Sequence, residues 1–275
     1  SMLSDLGMIF LTRIGEKHLD LIFDIDERLP QAMCGDELRI RQIIINLVNN
    51  AIKFTESGYV KLQMRLGTVT DDDIELRIAV SDTGQGIRQE DMGRLFSCFS
   101  QVDNKKNHNK EGTGLGLSIT KQLVEMMNGD ISVESVYGEG SVFSLSIHQK
   151  HVQDTPAARY KDDRPVRVGG RFASEYMTEE LRLLCRQFGV VYVANDVSRL
   201  PEQPVEFFFT DVEGEAILKR LSEEQRQALG EVCVMVNPLL EESRAAQVRV
   251  VNKPLYTLNF SQILNHEEFD AGYQG

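Results

Sequence analysis

Three short blocks follow one another within about seventy residues: Asn46-Leu-Val-Asn49-Asn50-Ala-Ile-Lys53-Phe54, Asp82-Thr-Gly84-Gln-Gly86-Ile87 and Gly112-Thr113-Gly114-Leu115-Gly116-Leu117. Taken singly each is weak, because glycine-rich stretches are ordinary turns far more often than phosphate cradles. As an ordered set, one amide-bearing segment and two glycine-rich turns describe a nucleotide pocket. The chain must fold so that all three meet.

The sequence around the blocks alternates between strand and helix periods. Residues 17–26 place Leu19, Leu21, Phe23 and Ile25 at alternate positions, as in a half-buried strand. Asp36 then stands as the N-cap of a helix with a broad apolar face of Leu38, Ile40, Ile43, Ile44, Leu47, Val48 and Ala51. Asn46 and Asn50 project from one side of that helix about a turn apart, and Lys53 follows a turn beyond Asn49 and Asn50. Segments 58–66 and 74–81 read as paired strands across the turn Asp71-Asp72-Asp73. Glu90 to Phe99 reads as a short helix, 101–111 as a polar lid rich in Lys and Asn, and Gly114 to Met127 as a helix ended by Asn128-Gly129. A hairpin of 131–134 and 141–147 around Tyr137-Gly-Glu-Gly140 closes a first domain over residues 1–149.

ATP with Mg²⁺ needs oxygen ligands for the metal, amide donors for phosphate, a carboxylate for the adenine amino group and a flat apolar slot for the ring. Asn46 and Asn50 offer neutral oxygens, which suit an ion that keeps several waters and is neutralised by its phosphates. Lys53 adds positive charge. Asp82 follows an apolar strand and can accept from the adenine amino group, with Gly84 and Gly86 allowing the backbone close to the base. Gly112, Gly114 and Gly116 open a helix whose first amides and dipole favour phosphate.

These blocks resemble the N box, the first glycine box, the phenylalanine box (Phe96 to Phe99) and the second glycine box of sensor histidine kinase catalytic domains, over roughly residues 17–149. The resemblance implies an α/β sandwich of the Bergerat ATP-binding type, a mixed sheet with helices on one face. It implies ATP and Mg²⁺ as ligands, with Asn50 the main metal ligand and Asn46 beside it. Asp82 reads adenine, Lys53 contacts phosphate and Phe54 lines the base. Ile87, Lys110, Thr113, Leu115 and Leu117 complete the nucleotide-binding set with the glycines already named, and the stretch from Ser100 to Glu111 folds over the nucleotide. Phe96 and Phe99, at helical spacing, are read as packing beneath that lid.

Related ATPases of the gyrase, mismatch-repair and heat-shock type hydrolyse ATP with a glutamate one helical turn before the metal-binding asparagine. Here that position holds Asn46, and an amide cannot take a proton from water. Phosphoryl transfer to a side chain needs mainly positioning and charge stabilisation, and fits better. The acceptor should be a histidine on a dimeric two-helix domain N-terminal to this region. His18, His108, His148, His151 and His266 do not fit that setting, although His266-Glu267 imitates the expected dipeptide. The expected partners are therefore a histidine-containing dimerisation domain of the full-length protein and a downstream receiver or response regulator, and no autophosphorylation is expected of this chain alone. A non-catalytic nucleotide-binding scaffold or signalling module, and an ATPase of the same superfamily, stay open as alternatives.

Residues 150–164 have the composition of a linker, and the pattern then changes. Apolar strand candidates at 166–168, 190–193, 207–209, 232–236 and 248–251 are separated by helical stretches such as 176–188, 213–228 and 255–265, as in a doubly wound parallel five-stranded sheet. The region 165–275 resembles a flavodoxin-like response-regulator receiver. Asp211 falls at the phosphoacceptor position and Lys253-Pro254 matches the receiver's lysine-proline pair. Gly169-Gly170 replaces the acidic pair expected after the first strand, and Asn237-Pro238 stands where Thr or Ser is usual. Mg²⁺ would lack most of its ligands there. A degenerate receiver used for docking or regulation is the expectation, with Asp211 read as a strand-end turn residue.

Composition excludes other classes. The formal net charge of -12 argues against a general nucleic-acid binder, since Lys and Arg form no basic stripe. No apolar run approaches the roughly eighteen residues of a membrane span, and the start lacks a signal-peptide pattern. A cytoplasmic location is expected for the fragment, with membrane anchoring of the full-length protein left open. Ser1-Met2 reads as a cloning remnant on a piece of something longer. Cys34, Cys98, Cys185 and Cys233 show no paired spacing, so they read as reduced, packed thiols.

Overall fold

The computed structural model describes residues 2–30, 33–34, 36–96, 116–151, 158–162, 164–193, 200, 202–239 and 248–267. The chain divides into two compact units, Ser1–Ala157 and Ala158–Gly275.

In the first unit, helix α1 (Met2–Ile14) precedes strand β1 (His18–Ile25) and the two-residue β2 (Met33–Cys34). Helix α2 (Glu37–Phe54) leads into β3 (Ser57–Val69) and β4 (Asp73–Asp82). A single turn, α3 (Gln89–Met92), α4 (Gly116–Met126), β5 (Asp130–Val136) and β6 (Gly140–His151) complete it. The sheet has the order β1-β3-β4-β6-β2, with β5 also paired to β6. β1 and β3 are parallel and the other pairs antiparallel, which makes the sheet mixed.

The core lies on one face of that sheet. Val60, Leu62 and Met64 of β3 and Ile74, Leu76, Ile78 and Val80 of β4 are buried with Ile40, Ile43, Ile44, Leu47 and Val48 of α2 there, and Leu145 and Ile147 of β6 are buried where α4 packs. α1 and α4 flank α2, while the alternate strand residues Arg65, Arg77 and Ser144 are not buried. α2 begins where expected, with the Asp36 carboxylate accepting from the Arg39 amide at 3.1 Å. It stops at Phe54 because Thr55 turns extended, and its last carbonyls are taken up by side chains. The Thr55 hydroxyl donates to the Ala51 carbonyl (2.7 Å), and Lys17 Nζ donates to those of Ile52 (2.7 Å) and Thr55 (2.9 Å). A cation at this end also complements the helix dipole.

Several expectations need correction. α1 is missing from the sequence reading, although Leu6, Phe10 and Ile14 recur every four residues and are buried. β1 is not half-buried: every residue from Leu21 to Ile25 is buried, because α1 packs against it as well. The helix expected over Glu90 to Phe99 is the single turn α3, and Phe99 lies outside the described residues. β6 runs to His151, past residue 149 and into the expected linker, with His148 Nδ1 2.6 Å from Asp73 Oδ2. At the other end of the expected linker, Lys161 N donates to Asn265 Oδ1 (2.9 Å) and Asn265 Nδ2 to the Arg159 carbonyl (2.7 Å), so residues 159–161 are tied to the second unit.

The second unit contains β7 (Arg167–Arg171), α5 (Glu175–Gln187), β8 (Val191–Val193), β9 (Phe207–Asp211), α6 (Val212–Leu218), α7 (Glu223–Gln227), β10 (Glu231–Val236), β11 (Arg249–Asn252) and α8 (Thr257–Leu264). All sheet pairs are parallel, in the order β11-β10-β9-β7-β8. All five residues of β9 are buried, which fits the apolar run Phe207-Phe208-Phe209 of a central parallel strand. The helix expected over 213–228 is two helices. Ser222 starts the second with a capping box, accepting from Gln225 N while the Gln225 side chain accepts from Ser222 N. Gly169-Gly170 lies within β7, not after it. A Cβ on Gly170 would stand 2.4 Å from Leu181 Cδ2 and 2.9 Å from the Phe209 carbonyl oxygen, so a side chain there would displace Leu181 and crowd β9.

Candidate nucleotide site

α2 carries Asn46, Asn50 and Lys53 along one side, all partly exposed, and ends on Phe54. Asn46 Nδ2 donates to Thr120 Oγ1 at 3.4 Å, and the fully buried Thr120 hydroxyl donates to the Gly116 carbonyl at 2.8 Å. The N-box helix is thus bonded to the helix that opens on Gly116. With its nitrogen engaged, Asn46 has its Oδ1 as the remaining acceptor. Asn49 Oδ1, on the same stretch of helix, is buried without a hydrogen-bond partner among the described residues. Two amide oxygens a turn apart suit a hard cation that keeps its waters. Lys53 Nζ stands 5.0 Å over the ring of Phe54, where the charge and the aromatic face attract.

The second block is joined to the end of α2. Asp82 closes β4, paired with Val60 on one side and Ser141 on the other. Its Oδ1 accepts from Gly84 N at 2.8 Å, and Gln85 N donates to the Phe54 carbonyl at 3.2 Å. Burial pushes the Asp82 carboxyl above its ordinary value, against the pull of the Gly84 and Ser141 backbone amides and the Thr55 hydroxyl. A half-buried carboxylate with capacity left to accept is what an exocyclic amino group needs.

The glycines answer first to the protein itself. A Cβ on Gly84 would stand 2.4 Å from the Phe54 carbonyl oxygen, and one on Gly86, at φ +65°, 2.1 Å from that of Val136. The sequence reading assigned these close approaches to the base, whereas the atoms approached belong to α2 and to β5. Ile87 N donates to Ser135 Oγ at 2.8 Å. Gly116 and Leu117 begin α4, both partly exposed. Lys110, Gly112, Thr113, Gly114 and Leu115 lie outside the described residues, as does the stretch from Ser100 to Glu111. Phe96 packs edge-on against core residue Phe143, ring centroids 6.4 Å apart.

Thr55, Thr120, Ser135 and Ser141, which hold these groups, were not singled out from the sequence. Only the serine and threonine hydroxyls themselves could have signalled them, and such residues are common.

A mixed sheet covered on one face by helices, with an asparagine-bearing helix joined to a strand-end aspartate and to a glycine-opened helix, is consistent with the GHKL fold. Residues 35–151 match the model of the family described as histidine kinase-, DNA gyrase B-, and HSP90-like ATPase. The resemblance drawn from the three blocks therefore holds for the first unit. The chain is 44% identical over 146 residues to the sensor protein GacS of Pseudomonas syringae pv. syringae, covering 53% of this chain and 16% of that protein. It is 41% identical over 133 residues to the signal transduction histidine-protein kinase BarA of Escherichia coli (strain K12), covering 48% of this chain and 14% of that protein. The matched stretch thus spans less than a fifth of these curated relatives. The crystal structure of full-length ShkA in complex with AMPPNP superposes with a TM-score of 0.74 over 98% of this chain and 56% of that one. At 23% identity this likeness is one of fold. No described helix is long and apolar enough to cross a membrane.

Proposed function

We propose that the first unit is the catalytic domain of a hybrid sensor histidine kinase, binding ATP with Mg²⁺ and presenting its γ-phosphoryl to a histidine on a dimerisation domain of the full-length protein. Asn50 and Asn46 hold the metal through side-chain oxygens, Lys53 faces phosphate, Phe54 lines the base and Asp82 accepts from adenine. Bound Mg²⁺ supplies charge neutralisation for the phosphates. The start of α4 at Gly116 directs amides at them.

One observation carries the choice of transfer over hydrolysis. Asn46 occupies the place of a catalytic base and uses its amide nitrogen to bond Thr120, so it has neither the chemistry nor the freedom to deprotonate water.

For the second unit the reading is a degenerate, flavodoxin-like receiver that serves docking or regulation. Its strands lie in the order second, first, third, fourth, fifth. Asp211 spends its carboxylate on structure, Oδ1 accepting from Gly214 N (2.7 Å) and Oδ2 from Ala173 N (2.9 Å). Among the described residues no group of three or more His, Cys, Asp or Glu is placed to hold a metal. Phosphate leaving the histidine then goes to a separate receiver or response regulator.

Calorimetric nucleotide binding with and without Mg²⁺, in the parent and in Asn50→Ala and Asp82→Ala, tests the pocket. Asn50→Ala should abolish the Mg²⁺-dependent part and Asp82→Ala should weaken adenine nucleotides in both conditions. If neither variant binds more weakly than the parent, the pocket is misassigned. Labelled ATP supplied with a histidine-bearing helical domain should put label on histidine. Release of free phosphate in its place would favour hydrolysis, and binding without either would favour a scaffold.

A further inference from the structure

The β5–β6 hairpin grips the first glycine loop at several points. Gly138 N donates to the Gln85 carbonyl at 2.8 Å, and the Arg88 guanidinium lies 4.6 Å over the ring of Tyr137 with Nη2 donating to its hydroxyl at 3.3 Å. At the centre is Ser135. Its hydroxyl accepts from Ile87 N (2.8 Å), donates to the Gly140 carbonyl (2.8 Å) and stands 3.0 Å from Ser141 Oγ. One donor and two acceptor positions are thereby all in use.

These bonds reference both ends of the block Asp82–Ile87 to one atom. Ile87 is its last residue and is bonded directly. Asp82 is its first residue and is the strand partner of Ser141, whose backbone amide also bonds the Asp82 carboxylate. Gly140, the acceptor of the Ser135 proton, packs against the Asp82 carbonyl, where a Cβ would stand 2.0 Å away. A shift of the Ser135 hydroxyl therefore changes the distance between the carboxylate and the loop beside it.

We propose that Ser135 is a positioning residue for base discrimination, holding the Gly84–Ile87 loop and the Asp82 carboxylate at the spacing that accepts adenine and rejects guanine. The inference rests on the reading of Asp82 as the adenine acceptor. Adenine presents an amino donor where guanine presents a carbonyl acceptor, so a fixed carboxylate tells them apart and a loosened one does so less.

The test is calorimetric binding of ATP and GTP, both with Mg²⁺, to the whole chain as parent, Ser135→Ala, Ser135→Thr and Arg88→Ala. Ser135→Ala should narrow the ATP-over-GTP preference about threefold to tenfold, the worth of one hydrogen bond. Ser135→Thr, which keeps the hydroxyl, should hold the parent's ratio, and Arg88→Ala should narrow it less in the same direction. Equal weakening of both nucleotides in Ser135→Ala, with the ratio kept, would mark a merely structural serine and overturn the inference alone. If Ser135→Ala does not fold, Arg88→Ala decides, and an unchanged ratio there overturns the inference. A parent that binds neither nucleotide overturns the pocket reading and this inference with it.

Discussion

Asn46 and Thr120, 74 positions apart in the chain, are joined by a hydrogen bond of 3.4 Å from the asparagine amide to the threonine hydroxyl. The bond ties the N-box helix to the helix of the second glycine box, and it orients the Asn46 oxygen. Thr120→Val keeps the shape of the side chain and removes the acceptor. The expected outcome is a loss of about threefold to tenfold in Mg²⁺-dependent nucleotide affinity, with binding in chelator unchanged. Thr120→Ser should behave as the parent. Isothermal calorimetry at two Mg²⁺ concentrations checks this, and an unaltered Mg²⁺ dependence in Thr120→Val would show that the bond does not orient a ligand.

Asp82 has a folded-state pKa raised by burial above its ordinary 3.8, with the Gly84 and Ser141 amides and the Thr55 hydroxyl acting against the shift. A raised carboxyl pKa means that the folded chain holds the proton more tightly than the unfolded chain. The ionised form costs stability at neutral pH, and the cost is relieved as pH falls through the folded value. The parent should therefore gain stability relative to Asp82→Asn on acidification from neutrality. Urea unfolding of both proteins across that range measures it, and a gap that stays constant or moves the other way would contradict the burial argument.

Glu75 has the opposite sign. The Arg77 guanidinium bonds it through two contacts of 2.9 Å, and with the Thr68 amide it holds the carboxyl down to about 2 from 4.5, against a smaller push from burial. Its contribution is complete above 4.5 and is lost as pH falls toward 2. Parent and Glu75→Gln should converge in stability over that acid window. Thermal melts at successive pH values test it, and parallel curves would argue that the pair adds nothing.

Asp211 caps α6 through Gly214 N and holds Ala173 N as well. Asp211→Ala should destabilise the second unit by about 1 to 2 kcal/mol, the cost of a lost cap, with a further loss from the unpaired Ala173 amide. Incubation with acetyl phosphate should give no acyl phosphate that depends on Asp211. Appearance of a stable, Asp211-dependent aspartyl phosphate would reverse the reading of this unit as degenerate.

How far the sequence could be read depended on whether the signal was local. α2 was legible, apart from Leu38, which was read into the apolar face and is exposed, because its apolar period, its Asp36 cap and its asparagine spacing all lie within eighteen residues of one another. The central strands β9 and β10 of the second unit were legible because strands buried on both faces are apolar runs, and the edge strands β8 and β11 by their valine pairs. The break between α6 and α7 was also written locally, in the Ser222–Gln225 capping box, but the helix-forming composition of 213–228 on both sides of it obscured it. α1 carried a clear four-residue repeat at the start of the chain, where terminal segments attract little structural expectation.

The residue types at the site belong to the sequence by itself: amides at one-turn spacing, a carboxylate after an apolar strand, glycines where a side chain cannot fit, and an asparagine in place of a hydrolytic glutamate. Tertiary structure decided what holds them. The Thr120 hydroxyl meets Asn46 from another helix, the Phe54 carbonyl leaves Gly84 no room for a side chain, and Ser135 reaches Ile87 from a hairpin 48 positions away. A hydroxyl's partner is set by geometry within about 3 Å, and the chain carries no local pattern that encodes such a distance between segments far apart in sequence.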